Sequence, residues 1–357
     1  MNHKLLYDLD LPDLTALLES WGEPSFRASQ IWQGLYQHYY NTPAKFTNLP
    51  LSLRAKLAEN LHFEALTPIS QLVSSDKQTV KTLFRLHDDQ AIEAVLMKYA
   101  IRNTLCISTQ VGCAMGCVFC ATGQMGFRRH LSSGEIVAQV MYYARALQTS
   151  EFFENSEVCN SEGCNVTNVV VMGMGEPFHN YENTMAAIDR LNDPDGYNFG
   201  ARRFTISTVG LAPMIRRFAV EKRQVNLAIS LHAADDALRS SMLPVNKKYP
   251  IDEILAACRE YISSTGRRVS FEWALIRDIN DTPEQAHLLA NRLHGLLCHV
   301  NVIPLNPTQG YPGQASTRQR AGKFKEILDQ AGVACTIRLR RGVEIRAGCG
   351  QLAGNVD

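Results

Sequence analysis

Cys113, Cys117 and Cys120 lie in Val111-Gly-Cys-Ala-Met-Gly-Cys-Val-Phe-Cys-Ala-Thr-Gly123, a CxxxCxxC word on a short, glycine-containing stretch. Thiols so closely spaced are candidate metal ligands. Three thiolates can cap three irons of a [4Fe-4S] cube and leave the fourth open. Structural zinc wants four ligands, commonly with paired CxxC spacing. No fourth ligand stands nearby, since His130 is ten residues beyond Cys120. An open iron can chelate a small molecule and pass it an electron, so this spacing points to redox chemistry rather than to a structural metal.

The elements around this word must hold it at a cleft. Strand-like runs are predicted at Leu105–Thr109, Val166–Met172, Arg203–Thr208, Val225–Leu231, Val269–Ala274, Val300–Pro304 and Cys335–Leu339. Helical patterns alternate with them at Ser133–Leu147, Glu182–Leu191, Pro213–Val220, Ile251–Ser264, Pro283–Leu296 and Arg318–Gln330. Ser132 and Glu135 have capping-box spacing, so a helix should start there. The alternation predicts a parallel α/β fold, closed or nearly closed into a barrel, with its active site at the C-terminal strand ends. Ahead of it, Leu11–Trp21 and Arg27–Tyr39 read as helices, and Val80–Leu86 and Ala91–Tyr99 as two strands around a turn at Asp88-Asp89.

Several polar residues fall at those strand ends: Gly175 and Glu176 in Met172-Gly-Met-Gly-Glu-Pro177, then Ser207, Ser230-Leu231-His232, and Asn306. Gly173 and Gly175 would let backbone approach a ligand, and Glu176 offers it a carboxylate. Cys349 sits between glycines, which suggests a mobile, accessible loop. Cys106 lies seven residues before Cys113. Cys258, Cys298 and Cys335 fall in apolar patterns and read as packing residues. Cys159 and Cys164 lie in a polar stretch, Thr149 to Asn165, that reads as a surface insertion; free thiols are expected there.

The 357 residues carry a net charge of only +1, so any nucleic-acid contact must come from local patches. Candidates are Arg128-Arg129-His130, Arg202-Arg203, Lys247-Lys248, Arg338-Leu-Arg-Arg341 and the basic–aromatic run from Phe26 to Trp32. The first eleven residues form no signal-peptide h-region, and no apolar run is long enough to span a bilayer. A cytoplasmic protein without membrane contact is therefore expected. In that reducing setting its ten cysteines are better explained by metal binding or catalysis than by structural disulfides.

CxxxCxxC after the first barrel strand resembles the radical S-adenosylmethionine (SAM) superfamily. With Met172 to Pro177, Ser207-Thr208, Ser230 to His232, Asn306-Pro307 and Cys349-Gly-Gln-Leu-Ala-Gly354, the chain resembles the adenine-C2 RNA methyltransferases of the RlmN type along nearly its whole length. That resemblance implies a partial (β/α)6-type radical SAM barrel over 99–342. It also implies an N-terminal helical, RNA-binding domain over 1–61, a β-hairpin connection over 62–98, and a C-terminal loop over 343–357. It implies a [4Fe-4S] cluster on Cys113, Cys117 and Cys120, with SAM held by Gly175, Glu176, Ser207, Ser230, Leu231, His232 and Asn306.

It further implies a two-SAM route. One SAM methylates Cys349, and a radical from the second activates that methyl for addition to adenine. Cys106 then closes a transient disulfide with Cys349. Glu93 matches a carboxylate assigned as proton acceptor; whether Glu93 or Cys106 takes the adenine proton stays open. The implied substrates are 23S ribosomal RNA and transfer RNAs, methylated at C2 of adenine. An electron donor such as flavodoxin or ferredoxin and a monomeric enzyme are expected. C8 methylation in the manner of the related Cfr branch is the nearest alternative, and a zinc-bearing, non-catalytic RNA-binding module is one from a different class.

Overall fold

A computed structural model describes residues 4–148 and 165–354. Among them, ten strands form one sheet whose spatial order follows the chain. Four run antiparallel: β1 Thr67–Val73, β2 Thr79–Arg85, β3 Ala91–Tyr99 and β4 Arg102–Cys106. From β4 onward every neighbour is parallel: β5 Asn168–Val171, β6 Phe204–Thr208, β7 Asn226–Ser230, β8 Val269–Leu275, β9 Cys298–Pro304 and β10 Cys335–Ile337. Parallel neighbours need long crossovers. Helices Ser133–Gln148, Tyr181–Asn192, Ala212–Glu221, Ile251–Thr265, Pro283–Leu293 and Arg318–Gln330 provide them. The two edge strands, β1 and β10, do not pair with each other, so the barrel is partial. This is the α/β architecture that the alternation of strands and helices predicts.

The predicted capping box forms reciprocally. Glu135 N–H donates to Ser132 Oγ at 3.2 Å, and Ser132 N–H donates to the Glu135 carboxylate at 2.9 Å. The strand predicted over Leu105–Thr109 ends earlier, at Cys106. Beyond Ile107 the backbone leaves the sheet: Ser108 N–H donates to Gln139 Oε1 (2.8 Å) and Thr109 N–H to the Met174 carbonyl (2.8 Å). Gln110–Gly112 then pairs antiparallel with Phe127–His130, making a ribbon that brackets the cysteine loop. The predicted hairpin is part of a larger meander. Its second strand joins the barrel through β4, and β1 adds an edge strand that carries Pro68 at a register shift, where a missing N–H is tolerated.

Ahead of the sheet, helices Leu11–Ser20, Phe26–Tyr36 and Leu51–Asn60 pack Trp32, Leu35 and Tyr36 inward, with the Trp32 and Tyr36 rings 4.5 Å apart. Phe26 points outward with the Arg27 guanidinium 4.8 Å from its ring centroid. This unit is fixed to the barrel by polar contacts. Gly134 N–H donates to Asp8 Oδ1 (2.7 Å), and the buried Arg190 guanidinium donates to the carbonyls of Tyr7 and Asp8. Cys258 and Cys335 are buried in the apolar core, and Cys298 packs against it. Cys159 and Cys164 lie outside the described residues. Among those described, no helix is long and apolar enough to cross a membrane.

Candidate active site

Cys113, Cys117 and Cys120 follow the short ribbon, and glycine makes its closure possible. At Gly112, φ is +70°, and a Cβ there would lie 1.8 Å from the Gly126 carbonyl oxygen. Cys113 N–H donates to that same carbonyl at 3.0 Å, and Val118 N–H donates to the Met242 carbonyl at 3.0 Å. Cys113 and Cys117 are buried and Cys120 is half-buried. Burial pushes the Cys113 thiol up to about 12, with Glu176 and Cys120 adding to the rise. Cys117 is pushed well above the usual thiol range by burial and then by Cys120, Cys113 and Glu176. Three thiols and a carboxylate thus lie close enough that their negative forms disfavour one another. Among the described residues no three His, Cys, Asp or Glu side chains converge tightly enough to hold a single ion. A cube held at three corners instead requires its thiolates spread over separate irons.

The strand-end residues gather above this loop. The Glu176 carboxylate accepts from the N–H groups of Val209 (2.8 Å) and Phe178 (3.0 Å), while burial pushes it up to about 7. Gly173 and Gly175 pack differently from expectation. Cβ atoms there would meet the Ile107 carbonyl oxygen at 2.6 Å and Gln110 Cβ at 2.6 Å. It is the neighbouring chain, rather than a ligand, that requires glycine at these positions. Ser207 and Ser230, on adjacent strands, bring their hydroxyls to 3.3 Å. Asn306 Nδ2 donates to the Cys349 carbonyl (3.1 Å), and its buried Oδ1 has no partner, leaving an acceptor for a ligand N–H.

Leu231 is fully buried, and His232 follows it with φ +61°. The ring Nδ1 accepts from Ala274 N–H at 2.9 Å, and its plane stands edge-on to Phe119, with centroids 5.0 Å apart. Burial, with Arg239 adding, pulls this imidazole down to about 3, so it is neutral at working pH. An unfolded histidine titrates near 6.5, so the unfolded chain binds more protons below that value. The contribution to stability is full above pH 6.5 and is lost as pH falls toward 3. About 2 kcal/mol should be gone by pH 5. In urea melts, the stability gap between wild type and His232→Asn should therefore shrink by about that amount between pH 7.5 and pH 5. A pH-independent gap would show that His232 is not held neutral.

Cys349 is exposed at the mouth, yet the protein behind it strips away enough water to push its thiol up to about 12, and Cys106, Cys120 and Glu272 add to the rise. The folded chain thus puts Cys349 in electrostatic reach of Cys106, at the end of β4, and of the cluster loop. Cys106 is itself pushed up to about 12 by burial. All eight described cysteines carry free thiols. The flanking glycines do not leave the loop untethered. Ala121 N–H donates to the Gly350 carbonyl (2.8 Å), Thr122 Oγ1 to the Leu352 carbonyl (2.6 Å), and Gln351 Nε2 to the Pro307 carbonyl (2.9 Å). Glu93 closes the set: its Oε2 accepts from Ala353 N–H (2.8 Å) and Gly354 N–H (3.3 Å), and its Oε1 meets Lys81 Nζ at 2.7 Å.

Comparison with known proteins decides the family. A structure described as a radical SAM methyltransferase from Sphaerobacter thermophilus superposes with a TM-score of 0.93 at 49 % identity, covering 99 % of this chain and all of that one. Residues 107–290 match the radical SAM superfamily, and residues 5–62 match the ribosomal RNA large subunit methyltransferase N-terminal domain. A protein of Chloroflexus aurantiacus named "probable dual-specificity RNA methyltransferase RlmN" is 50 % identical over 99 % of this chain and 94 % of its own length. One of Myxococcus xanthus, "dual-specificity RNA methyltransferase RlmN 1", is 47 % identical over 99 % of this chain and 95 % of its own. The chain belongs to the RlmN family. It is a radical SAM RNA methyltransferase.

Three residues of this RlmN-family site escape a reading of the sequence. Arg239, fully buried, donates to the carbonyls of Leu231 (2.9 Å), Val209 (2.6 Å) and Ser230 (3.1 Å), gathering the backbones of two strand ends around one guanidinium. Lys81 looks like an outward-facing charge in β2, but it is buried against Glu93. Gln110 Oε1 accepts from Glu176 N–H (2.8 Å), while its Nε2 reaches Nδ1 of both His130 (3.0 Å) and His179 (3.1 Å). Their partners are remote in sequence, so no local pattern marks them.

Proposed function

We propose that this enzyme methylates C2 of one adenine in 23S ribosomal RNA and of the adenine beside the anticodon in transfer RNAs, with Cys349 carrying the methyl group. The single observation that carries the proposal is the meeting of Cys349, Cys106 and the CxxxCxxC loop at one barrel mouth, with residues 350 and 352 hydrogen-bonded to the helix that follows Cys120. The printed names of the relatives agree with RNA as substrate.

The residues fit the two groups that the family uses. Cys113, Cys117 and Cys120 would hold a [4Fe-4S] cluster. Gly175, Glu176, Ser207, Ser230, Leu231, His232 and Asn306 would hold SAM, with the Glu176 carboxylate and the unpartnered Asn306 Oδ1 as acceptors it could use. When bound, the cluster supplies the electron that cleaves SAM to a carbon radical. Adenine C2 is too electron-poor to attack a sulfonium methyl directly, which is why a radical is needed.

Cys349 sulfur takes a methyl group first, by displacement, with loss of its own proton. After that methyl is activated and joined to the ring, Cys106 sulfur attacks Cys349 sulfur. The carbon–sulfur bond breaks with its electron pair going to the bridging methylene carbon, which takes up a proton; the product leaves with a methyl group, and a Cys106–Cys349 disulfide remains. An external reductant returns it to two thiols. Either Glu93 or Cys106 takes the adenine proton. Residues 1–61 act as an RNA-binding domain, and a flavodoxin or ferredoxin supplies electrons. The barrel holds the reactants in line and excludes water.

The test is nuclease digestion and mass spectrometry of ribosomal and transfer RNA from cells with and without the gene. Loss of 2-methyladenosine from both is the expected result. Loss of 8-methyladenosine instead would overturn the C2 assignment.

A further inference from the structure

The turn between β3 and β4 and the segment 338–341 lie side by side beneath the loop that carries Cys349. They are joined by one aromatic ring. The guanidinium carbons of Arg102 and Arg341 lie 4.5 Å and 4.4 Å from the Tyr99 ring centroid. Arg341 also donates to Gln78 Oε1 and to the Lys98 carbonyl, and Arg340 Nη1 donates to the Leu305 carbonyl at 3.4 Å. Leu305 precedes Asn306, whose amide holds the Cys349 carbonyl. The ridge is thus bonded directly to the mouth.

Asp76 and Glu272 lie within electrostatic reach of Arg341 and Arg338, but neither closes an ion pair with them. Among the described residues, Arg102, Arg338, Arg340 and Arg341 form no salt bridge, whereas Arg129, Arg216, Arg217, Arg223, Arg292 and Arg320 are each held by a carboxylate. The nearby acids are otherwise engaged. Glu344 accepts from Ser75 N–H (3.1 Å), and Asp76 accepts from Ser74 Oγ (2.5 Å) and Gln78 N–H (3.0 Å). Two guanidinium groups held against one ring concentrate positive charge there, which favours an anion nearby. Arginine forks match phosphate oxygens bidentately, and guanidinium planes also stack on bases. Ile101, 94 % exposed, and Leu339, 84 % exposed, stand at the crest as the two most exposed large hydrophobic side chains among the described residues. Apolar tips beside unpaired arginines suit a splayed base and its sugar better than a protein partner.

We infer that this ridge binds the phosphodiester backbone flanking the target adenosine, with Arg102 and Arg340 on phosphates and Ile101 against an unstacked base. It rests on the RNA reading above and adds where the strand runs. It also assigns strand grip to the barrel rim in addition to the N-terminal helices.

The experiment uses the cluster-loaded enzyme and a fluorescein-labelled RNA stem-loop with the sequence of an anticodon arm. Anisotropy is measured across a salt series. Arg102→Gln with Arg340→Gln should weaken binding roughly tenfold and reduce the log–log salt slope by about two, one per lost phosphate contact. The Lys-for-Arg pair should keep the slope. Arg259→Gln, an exposed charge on the far helix Ile251–Thr265, should change neither quantity. Melting temperature and cleavage of SAM without RNA, measured as 5′-deoxyadenosine release, should match wild type, which separates loss of grip from misfolding. An unchanged slope in the double variant overturns the ridge, as does an equal loss with Arg259→Gln. If wild type neither binds nor methylates the RNA, the RNA reading falls and the ridge falls with it. Wild-type methylation with an unchanged slope in the double variant sinks the ridge alone.

Discussion

Cys349→Ala should abolish methyl transfer to RNA while leaving an enzyme that still assembles its iron–sulfur centre and still cleaves SAM. The substitution removes only the sulfur. The loop's anchors at Ala121, Thr122, Asn306 and Pro307 are backbone or neighbouring groups, and they survive it. Loss of a covalent nucleophile lowers turnover by about six orders of magnitude in a well-studied hydrolase, so product should fall below detection. Two readouts separate the steps: iron and sulfide content with 5′-deoxyadenosine release for the radical, and 2-methyladenosine by mass spectrometry for transfer. If the variant still methylates RNA, Cys349 is not the carrier.

Lys81→Met should be among the costliest substitutions in the fold. Lys81 and Glu93 meet at 2.7 Å with side-chain exposures of 9 % and 7 %. Removing one partner of a buried pair strands the other charge, at about 3–5 kcal/mol. For a chain of this length that lowers the melting temperature by roughly 5 °C. Methionine approximates the lysine's volume, so little cavity cost is added. The stranded carboxylate keeps only the Ala353 and Gly354 N–H donors. The double variant Lys81→Met/Glu93→Gln should recover most of the loss, because neither charge then remains. A single variant that melts within 1 °C of wild type would mean that the pair is hydrated.

The repeating parts of the fold were legible because they depend on local periodicity. Seven parallel strands and their crossover helices follow from runs such as Val225 to Leu231, and the capping box at Ser132 follows from two residues three apart. The cysteine triple stands out for the same reason, since its three members lie within eight residues. β1 was not, because Thr-Pro-Ile-Ser-Gln-Leu-Val alternates weakly and its side chains are mostly exposed. Lys81 misled because β2 reads as a half-buried strand but is covered on both faces. Arg239 looks like an ordinary surface charge on a short helix; what it gathers comes from two other strand ends. Glycines suggested a loose loop around Cys349, but tethering depends on partners that no neighbouring residue reveals. Candidate reactive groups stand out by residue type, whereas the groups that hold them in place are set by distant pairings.

The clasp between Glu93 and Ala353 joins residues 260 positions apart. Most of the sheet forms between sequence neighbours, where loop closure costs little, but this contact has to close a loop of 260 residues. That difference predicts a folding order that pulsed hydrogen exchange would read: the barrel wall gains protection first, and the segment bearing Cys349 docks after it. In that order Cys113, Cys117 and Cys120 would face an uncovered opening for an interval, and a bulky inorganic cluster would have room to enter before the C-terminal clasp shuts over it.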